Sequence, residues 1–326
     1  MLKTSVVIAS YNGSKYIKSE LESILNQTKN IDECIIGDDC SLDDSVEIIS
    51  EFIESNHLNH WRLIENNTNL GLSKNFFNLL KECSGDIVFI ADQDDIWEKS
   101  KVEDFLKIFE ENPEVLCLSS SFGCIDSNGM KIDAPAGLTD NLDNEDGRIH
   151  YIELETLIGH SMIRGCTMAI RKTLVNNIIK SDLCKYMNSD LLCHDWAISV
   201  LACLFGKCAI VHKKLLYYRI HGNNSSLKSL DRKNMKRSLE NRINGVDKSI
   251  SAHKILLNYN NITKSERKFI ICHIEFENRR LKYLKNKSLF DYFVLFLNIR
   301  KYKRYHQNFF SGIKVFLGDF IYAHNL

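Results

Sequence analysis

The sequence predicts an α/β protein: a sheet with a parallel core, flanked by helices and followed by a C-terminal helical appendage. Three observations predict it. Short apolar runs rich in β-branched residues alternate with amphipathic stretches through the first third of the chain. Four of those runs end in dense polar clusters. From Asp231 onward nearly every stretch has helical periodicity.

The buried strands are read at "TSVVIAS" (4–10), "DECIIGDD" (32–39), "HWRLIEN" (60–66) and "GDIVFIAD" (85–92). Between and after them lie helical patterns at 14–27, 44–57, 72–83 and 98–111. "SLDDS" (41–45) supplies helix-start chemistry, and Pro113 stops the fourth helix. Such alternation means a doubly wound sheet with ligands at the carboxyl ends of its strands. A fifth run, "VLCLSSSF" (115–122), precedes a turn-rich acidic segment (133–147) read as a mobile loop. A short helix (152–159), a strand (166–170), a helix (194–205) and a hairpin-like pair (208–212 and 215–220) follow. The boundary falls near 227–231, dividing a body (1–228) from a helical region (229–326) that holds a long helix broken near Ile262–Thr263.

With 326 residues, 44% of them hydrophobic, the chain can bury a large core. Its 42 basic residues balance 42 acidic ones, which argues against a nucleic-acid partner. The balance is uneven: residues 279–326 hold ten Lys/Arg against Asp291 and Asp319 alone, a net of 10 − 2 = +8. The same segment carries 12 of the 32 aromatic residues. A basic, aromatic segment of this kind fits either an anionic membrane surface or packing against the body or a second subunit. Eleven cysteines without a C-x-x-C pair indicate free thiols in a reducing, cytoplasmic compartment. The amino terminus has too short an apolar core for a secretory signal, and no apolar run reaches membrane-span length.

Each strand end offers distinct chemistry. Ser10, Tyr11, Asn12 and Gly13 open a helix whose N–H groups can hold an anion. Asp38 and Asp39 suit the N–H and O–H donors of a base or ribose. Gly71 permits a tight turn, after which Lys74 can reach a diphosphate. The fourth strand runs into Asp92, Gln93, Asp94 and Asp95, three carboxylates that repel one another at neutral pH and call for a cation. On spacing alone, metal binding and helix capping by Asp95 are equally supported. Further on, Asp195 opens an amphipathic helix, where the dipole favours a carboxylate, beside Trp196, a sugar or core contact. Arg219 and His221, two apart, share one face of a strand end.

Seven motifs stand in sequence: "SVVIASYN", "IIGDDCSLDDS", "NLGLSKN", "ADQDDIW", "RGCTMAI" (164–170), "HDW" (194–196) and "YRIHGNNSS" (218–226). Over about residues 3–225 this set resembles the family-2 glycosyltransferases of the GT-A fold. The last three motifs look most like bacterial rhamnosyltransferase-type members that build surface polysaccharides. The resemblance implies a Rossmann-like mixed sheet, with a nucleotide-sugar-binding half (1–112) and an acceptor half (113–228). It implies inverting, metal-dependent transfer of a hexosyl unit, rhamnosyl among the choices, from a dTDP- or UDP-sugar to a surface polysaccharide or lipid-linked glycan. In that reading Asp94 ligates Mg2+ or Mn2+, with Asp92 near the ribose or a metal-bound water and Gln93 in the same donor loop. His221 becomes a second metal ligand or a diphosphate contact, and Arg219 steadies the phosphates or the loop. Asp195 becomes the general base, and Gly165, Cys166, His194 and Trp196 line the acceptor or donor sugar. Cys166 is not a nucleophile, because a single inverting displacement needs no covalent intermediate. Two alternatives are a sugar nucleotidyltransferase and a catalytically silent nucleotide-sugar-binding protein. The first needs a Gly-rich triphosphate loop where "ASYNGSKY" has one Gly, and the second is opposed by the joint presence of Asp94 and Asp195.

Overall fold

The alternation of apolar faces along the strands builds two cores on opposite sides of one sheet. Val7, Ile35, Val88 and Ile90 face one core, and Val6, Ile8, Ile36 and Phe89 face the other. The computed structural model describes residues 1–135, 145–159, 161, 163–188, 191, 193–222, 224, 235–260, 262–304 and 309–324. The centre of the acidic segment read as a mobile loop (136–144) and the domain boundary (227–231) lie outside the described residues.

Strands β1 (Thr4–Ser10), β2 (Glu33–Asp38), β3 (Trp61–Glu65) and β4 (Ile87–Asp92) pair in parallel in the order β3-β2-β1-β4. Helices α1 (Ile17–Leu25), α2 (Ser45–Ser55), α3 (Leu72–Glu82) and α4 (Lys101–Glu111) cover them, so all seven residues of β1 are buried. A two-residue strand, β5 (Ile96–Trp97), delays α4 until Lys101, with Ser100 at its N-cap. Asp95 therefore does not cap that helix.

Antiparallel pairing makes the second half of the sheet mixed. β6 (Val115–Ile125) is followed by two short pieces, β7 (Lys131–Ile132) and β8 (Ile149–Ile152). β9 (Met168–Arg171) lies antiparallel between β4 and β6, and β10 (Lys207–Arg219) runs parallel to β6. The expected hairpin is instead this single 13-residue strand β10, irregular between Val211 and Tyr217. Lys213 and Lys214, which read as a turn, sit in the irregular stretch with their ammonium groups on Asp104 and Glu145. Helices α5 (Leu154–Gly159), α6 (Lys172–Ile179), α7 (Cys184–Asn188) and α8 (His194–Phe205) follow in chain order. α6 and α7 had no counterpart in the sequence reading.

The C-terminal helices are α9 (Met235–Leu257), α10 (Lys264–Asn286), α11 (Leu289–Leu297), α12 (Ile299–Arg304) and α13 (Phe309–His324). The break after Asn258 is enforced by a capping box, in which Thr263 and Glu266 each satisfy the other's backbone N–H. These helices extend the core that holds Val7 and Val88 and enclose a buried ionic network. Asp319, fully buried, accepts two hydrogen bonds from Arg280 (2.9 and 3.1 Å), one from Arg242 (2.8 Å) and one from Tyr302 (3.0 Å). Arg280 also reaches both oxygens of Glu277. His253, fully buried on α9, meets Trp196 of α8 edge-on at 6.2 Å and His273 of α10 at 4.9 Å. All eleven cysteines are free.

Two outcomes are expected. Asp319→Ala removes the acceptor shared by Arg280, Arg242 and Tyr302, leaving Arg280 only Glu277, and should cost about 3–5 kcal/mol in urea unfolding. Burial depresses the His253 imidazole to about 4. The unfolded chain therefore binds that proton near pH 6.5 and the folded chain does not, so stability present at neutral pH is lost as pH falls through the window between them. His253→Phe should flatten the fall in melting temperature across that window.

Candidate active site

The parallel register places Ser10 opposite Asp38 and Ala9 opposite Asp92, so these polar strand ends share one rim. The loop after β1 departs from the expected anion site. Its amides donate to side chains of this chain: Tyr11 to Gln93 Oε1 (2.8 Å), Asn12 to Ser41 Oγ (2.8 Å), Gly13 to Ser45 Oγ (2.8 Å) and Ser14 to Asp43 (3.0 Å). Gln93 returns a hydrogen bond to the Tyr11 carbonyl at 3.0 Å. A Cβ on Gly13 would stand 2.2 Å from Gln93 Oε1, so glycine keeps the room for that clamp. Asn12, at φ 49°, accepts the Leu42 N–H, and the Tyr11 ring is left 46% exposed at the rim. Ser10 Oγ is buried with no hydrogen-bond partner among the described residues.

The two aspartates ending β2 hold backbone. Asp38 accepts from the Ser41 amide (2.8 Å) and hydroxyl (2.6 Å). Asp39 accepts from Leu70 N–H, Gly71 N–H (both 2.8 Å) and Asn66 Nδ2 (2.9 Å). Asp39 thereby shapes the loop leading to Lys74, half-buried in the first turn of α3.

The acidic end of β4 divides into an inner and an outer part. Inside, Asp92, Asp95 and Cys166 bring potential ligand atoms within 4.8 Å of one another. Asp95 is fully buried and accepts the Arg219 N–H at 3.0 Å. Facing this group is Lys101, also fully buried, which donates to the Cys166 carbonyl at 2.8 Å and lies 3.9 Å from the centre of the Trp97 ring. Glu20 of α1 completes the inner cluster electrostatically. Burial, then Asp94, pushes Asp95 up to about 7, and burial raises Glu20 well above the carboxylate range. Burial raises Asp92 too, reinforced by Asp95, Asp94 and Asp195, while it draws Lys101 down to about 8. The buried carboxylates thus hold protons above the ordinary carboxylate range and are countered by a lysine.

The outer part is organised by the end of β10. Arg219 is buried; its Nε donates to the Asp94 carbonyl (2.7 Å), its guanidinium lies over Tyr16 (4.7 Å), and its own carbonyl accepts from Asn224 (2.9 Å). It therefore grips the Asp94 turn from behind. Asn224 Oδ1 in turn accepts the His221 N–H (2.6 Å). His221 Nε2 lies 2.7 Å from Asp94 Oδ2, the imidazole against Tyr16 at 4.9 Å. That separation is a hydrogen bond between the two side chains, which holds the Asp94 carboxylate toward the end of β10. The carboxylates of Asp94 and Asp92 are donors that suit a hard divalent cation; the imidazole beside them is not the donor such a cation prefers.

Across the sheet, a Cβ on Gly165 would stand 2.4 Å from His194 Nε2, so its missing side chain admits the His194 ring. His194 packs on Phe76 at 4.4 Å, and burial lowers its pKa. Asp195 Oδ1 accepts the Trp196 N–H at 2.7 Å in the first turn of α8, half-buried. Trp196 donates its indole N–H to the Leu157 carbonyl and packs toward His253, which makes it a core contact.

Sequence reasoning missed Glu20, Lys101, Tyr16 and Asn224. A signal existed for the first two. Glu20 lies within the buried stripe Ile17, Leu21, Ile24, and Lys101 within the stripe Val102, Phe105, Phe109, each a charge on an apolar helix face.

Comparison with known proteins shows what the chain is similar to. The family model Glycosyl transferase family 2 matches residues 5–179. The chain is 25% identical over 227 residues to the uncharacterized glycosyltransferase alr2836 of Nostoc sp., covering 69% of this chain and 67% of the relative. It is 29% identical over 225 residues to the dTDP-rhamnosyl transferase RfbG of Shigella flexneri, covering 67% and 72%. Among solved structures, S. aureus TarS 1–349 in complex with UDP-GlcNAc superimposes with a TM-score of 0.60 at 18% identity, covering 88% of this chain and 77% of that one. The mannosyltransferase PcManGT of Pyrobaculum calidifontis, in complex with GDP-Man and Mn2+, gives a TM-score of 0.58 at 14% identity, covering 99% and 86%.

Lys101→Met removes the ammonium group that lies over Trp97 and faces Glu20, Asp92 and Asp95. It should lower stability by about 1–3 kcal/mol in urea unfolding, the penalty for leaving buried polar partners unmatched.

Proposed function

The chain belongs to glycosyl transferase family 2 and is a glycosyltransferase; from that premise we propose that it transfers a hexosyl unit, rhamnosyl before others, from a dTDP- or UDP-sugar to a surface polysaccharide or lipid-linked glycan, with inversion. The similarity to RfbG favours rhamnosyl transfer, and the fold shared with nucleotide-sugar-bound TarS favours a nucleotide-sugar donor. The proposal treats residues 1–228 as the catalytic unit, with donor contacts in 1–112, and 229–326 as its helical appendage. The cytoplasmic face of the cell membrane is the location it entails, in keeping with eleven free thiols.

The observation that carries the reading is electrostatic. Burial raises Asp92, and Asp95, Asp94 and then Asp195 add to it, so the first turn of α8 lies within electrostatic reach of the acidic end of β4, which supports reading the space between them as the site. In that space Asp195 draws the proton from the acceptor hydroxyl as its oxygen meets the anomeric carbon. Attack opposite the diphosphate inverts that carbon. Asp94, with His221 beside it, would hold Mg2+ or Mn2+, whose chemistry is to neutralise charge developing on the departing diphosphate. Lys74, on the same rim, adds a cation for the phosphates, and the exposed Tyr11 ring offers a face to the base. Asp38, Asp39, Asn12, Gln93 and Arg219 fix the loops that present these groups. Gly165, Cys166 and His194 back the sugar-binding side. The loop after β1, its amides already taken by side chains, offers no triphosphate cradle, which favours glycosyl over nucleotidyl transfer.

Asp195→Asn is expected to retain nucleotide binding while turnover falls by about 10²–10⁴-fold. Retention of most turnover would remove Asp195 from the role of base. Asp94→Ala is expected to abolish the Mn2+-dependent part of dTDP or UDP binding, read by calorimetry with and without the ion. A panel of nucleotide sugars tests the donor: hydrolysis fastest with dTDP-rhamnose supports the rhamnosyl reading, and fastest with another sugar replaces it.

A further inference from the structure

α11 is clothed on only one side. Leu295 is fully buried, and Tyr292 stacks on Phe316 of α13 at 4.5 Å. On the other side Leu289, Phe290, Phe293, Phe296 and Leu297 are 67%, 73%, 55%, 51% and 67% exposed. Spacings of three and four residues put most of them on one helical face. At about 150–250 Å² per aromatic side chain, the three phenylalanines alone expose roughly 300 Å². That already equals the largest apolar patch of many monomers. Leu317 and Ile321 of α13, which follow Phe316 and Phe320 in sequence, are exposed as well. Phe316 and Phe320 are the residues that touch Tyr292.

Cations flank this face at both ends. Lys282, Lys285 and Lys287 precede α11 and are exposed; Arg300, exposed, and Lys301, half-buried, follow it. Between 282 and 301 the acidic residue is Asp291, half-buried and paired with Lys282 at 2.7 Å. Among the described residues no helix is long and apolar enough to cross a membrane.

We infer that α11 is an interfacial anchor for an anionic bilayer: its phenylalanine face enters the boundary between headgroups and acyl chains, and the flanking lysines and arginine meet the anionic headgroups. Charge decides the occupant. A second copy docked on this face, parallel or antiparallel, would bring one basic end against another, whereas an anionic bilayer complements the apolar centre and both basic ends. The inference is independent of the reaction proposed above, because membrane binding is read without turnover. If both hold, a lipid-linked acceptor is met at the surface to which the enzyme is bound.

The test is flotation of the full chain with vesicles of phosphatidylcholine, with and without one-third phosphatidylglycerol. Flotation with the anionic vesicles at low salt, lost at high salt or on phosphatidylcholine alone, is expected. Phe290→Ser/Phe293→Ser should cut partitioning at least about tenfold. Lys285→Ala/Lys287→Ala should cut it about 25-fold, at roughly fivefold per cation. Melting temperature and donor-sugar hydrolysis should stay unchanged in both variants, since none of these residues touches the site. Absence of flotation with anionic vesicles at low salt overturns the inference, as does equal flotation by the phenylalanine variant. A dimer in light scattering that the phenylalanine substitutions dissolve would assign the face to a second copy and overturn it too.

Discussion

Strand β4 delivers three carboxylates to one turn, and the elements around the site are placed by how that charge is balanced. Lys101 answers from inside, held by the Cys166 carbonyl and the Trp97 ring. Arg219 and His221 answer from the end of β10, one on the Asp94 carbonyl and the other on its carboxylate. A charge taken from water must be matched by close partners, or it shifts its pKa and neutralises. Both responses occur: Asp95 and Glu20 retain protons above the usual carboxylate range, and Lys101 is drawn below the usual lysine range.

This balance bears on features that also pack the core. β5 is two residues long, yet it pairs with β10 and sets α4 so that its first residue is Lys101. β10 runs thirteen residues, far enough to carry Arg219 to the acidic turn. The rim loops show the same economy: Gln93 on Tyr11, Ser41 and Ser45 on the next amides, and Asp39 on the loop before α3. A network satisfied by its own side chains holds its shape before ligand arrives, which reduces the ordering a bound nucleotide sugar must impose.

The C-terminal helices are joined to this arrangement from below. Trp196, the residue after Asp195, packs toward His253 of α9, and the Asp319 network fixes α9, α10, α12 and α13 to one another. The position of the first turn of α8 is thus supported by a part of the chain that holds none of the proposed chemistry. The aromatics of that part are shared between two tasks. Tyr283, Tyr302 and Phe316 fill the core, while three phenylalanines of α11 remain in solvent.

Local pattern alone was enough for the four parallel strands, their helices, the polar rim and the break at Thr263, because alternation, helical stripes and capping chemistry are written in neighbouring residues. It did not separate residues that bind from residues that hold. Trp196 read as a sugar or core contact and Arg219 as steadying the phosphates or the loop, and both bond the protein's own backbone, as Asp39 does. Nor did it join Lys101 to Asp95, six residues apart but turned toward each other only by the intervening β5, or His221 to Asp94, which meet from distant parts of the chain. The sequence by itself determined which groups are charged and which faces are apolar. Tertiary structure decided which charges meet, because a partner separated by 127 residues is fixed only when the sheet assembles.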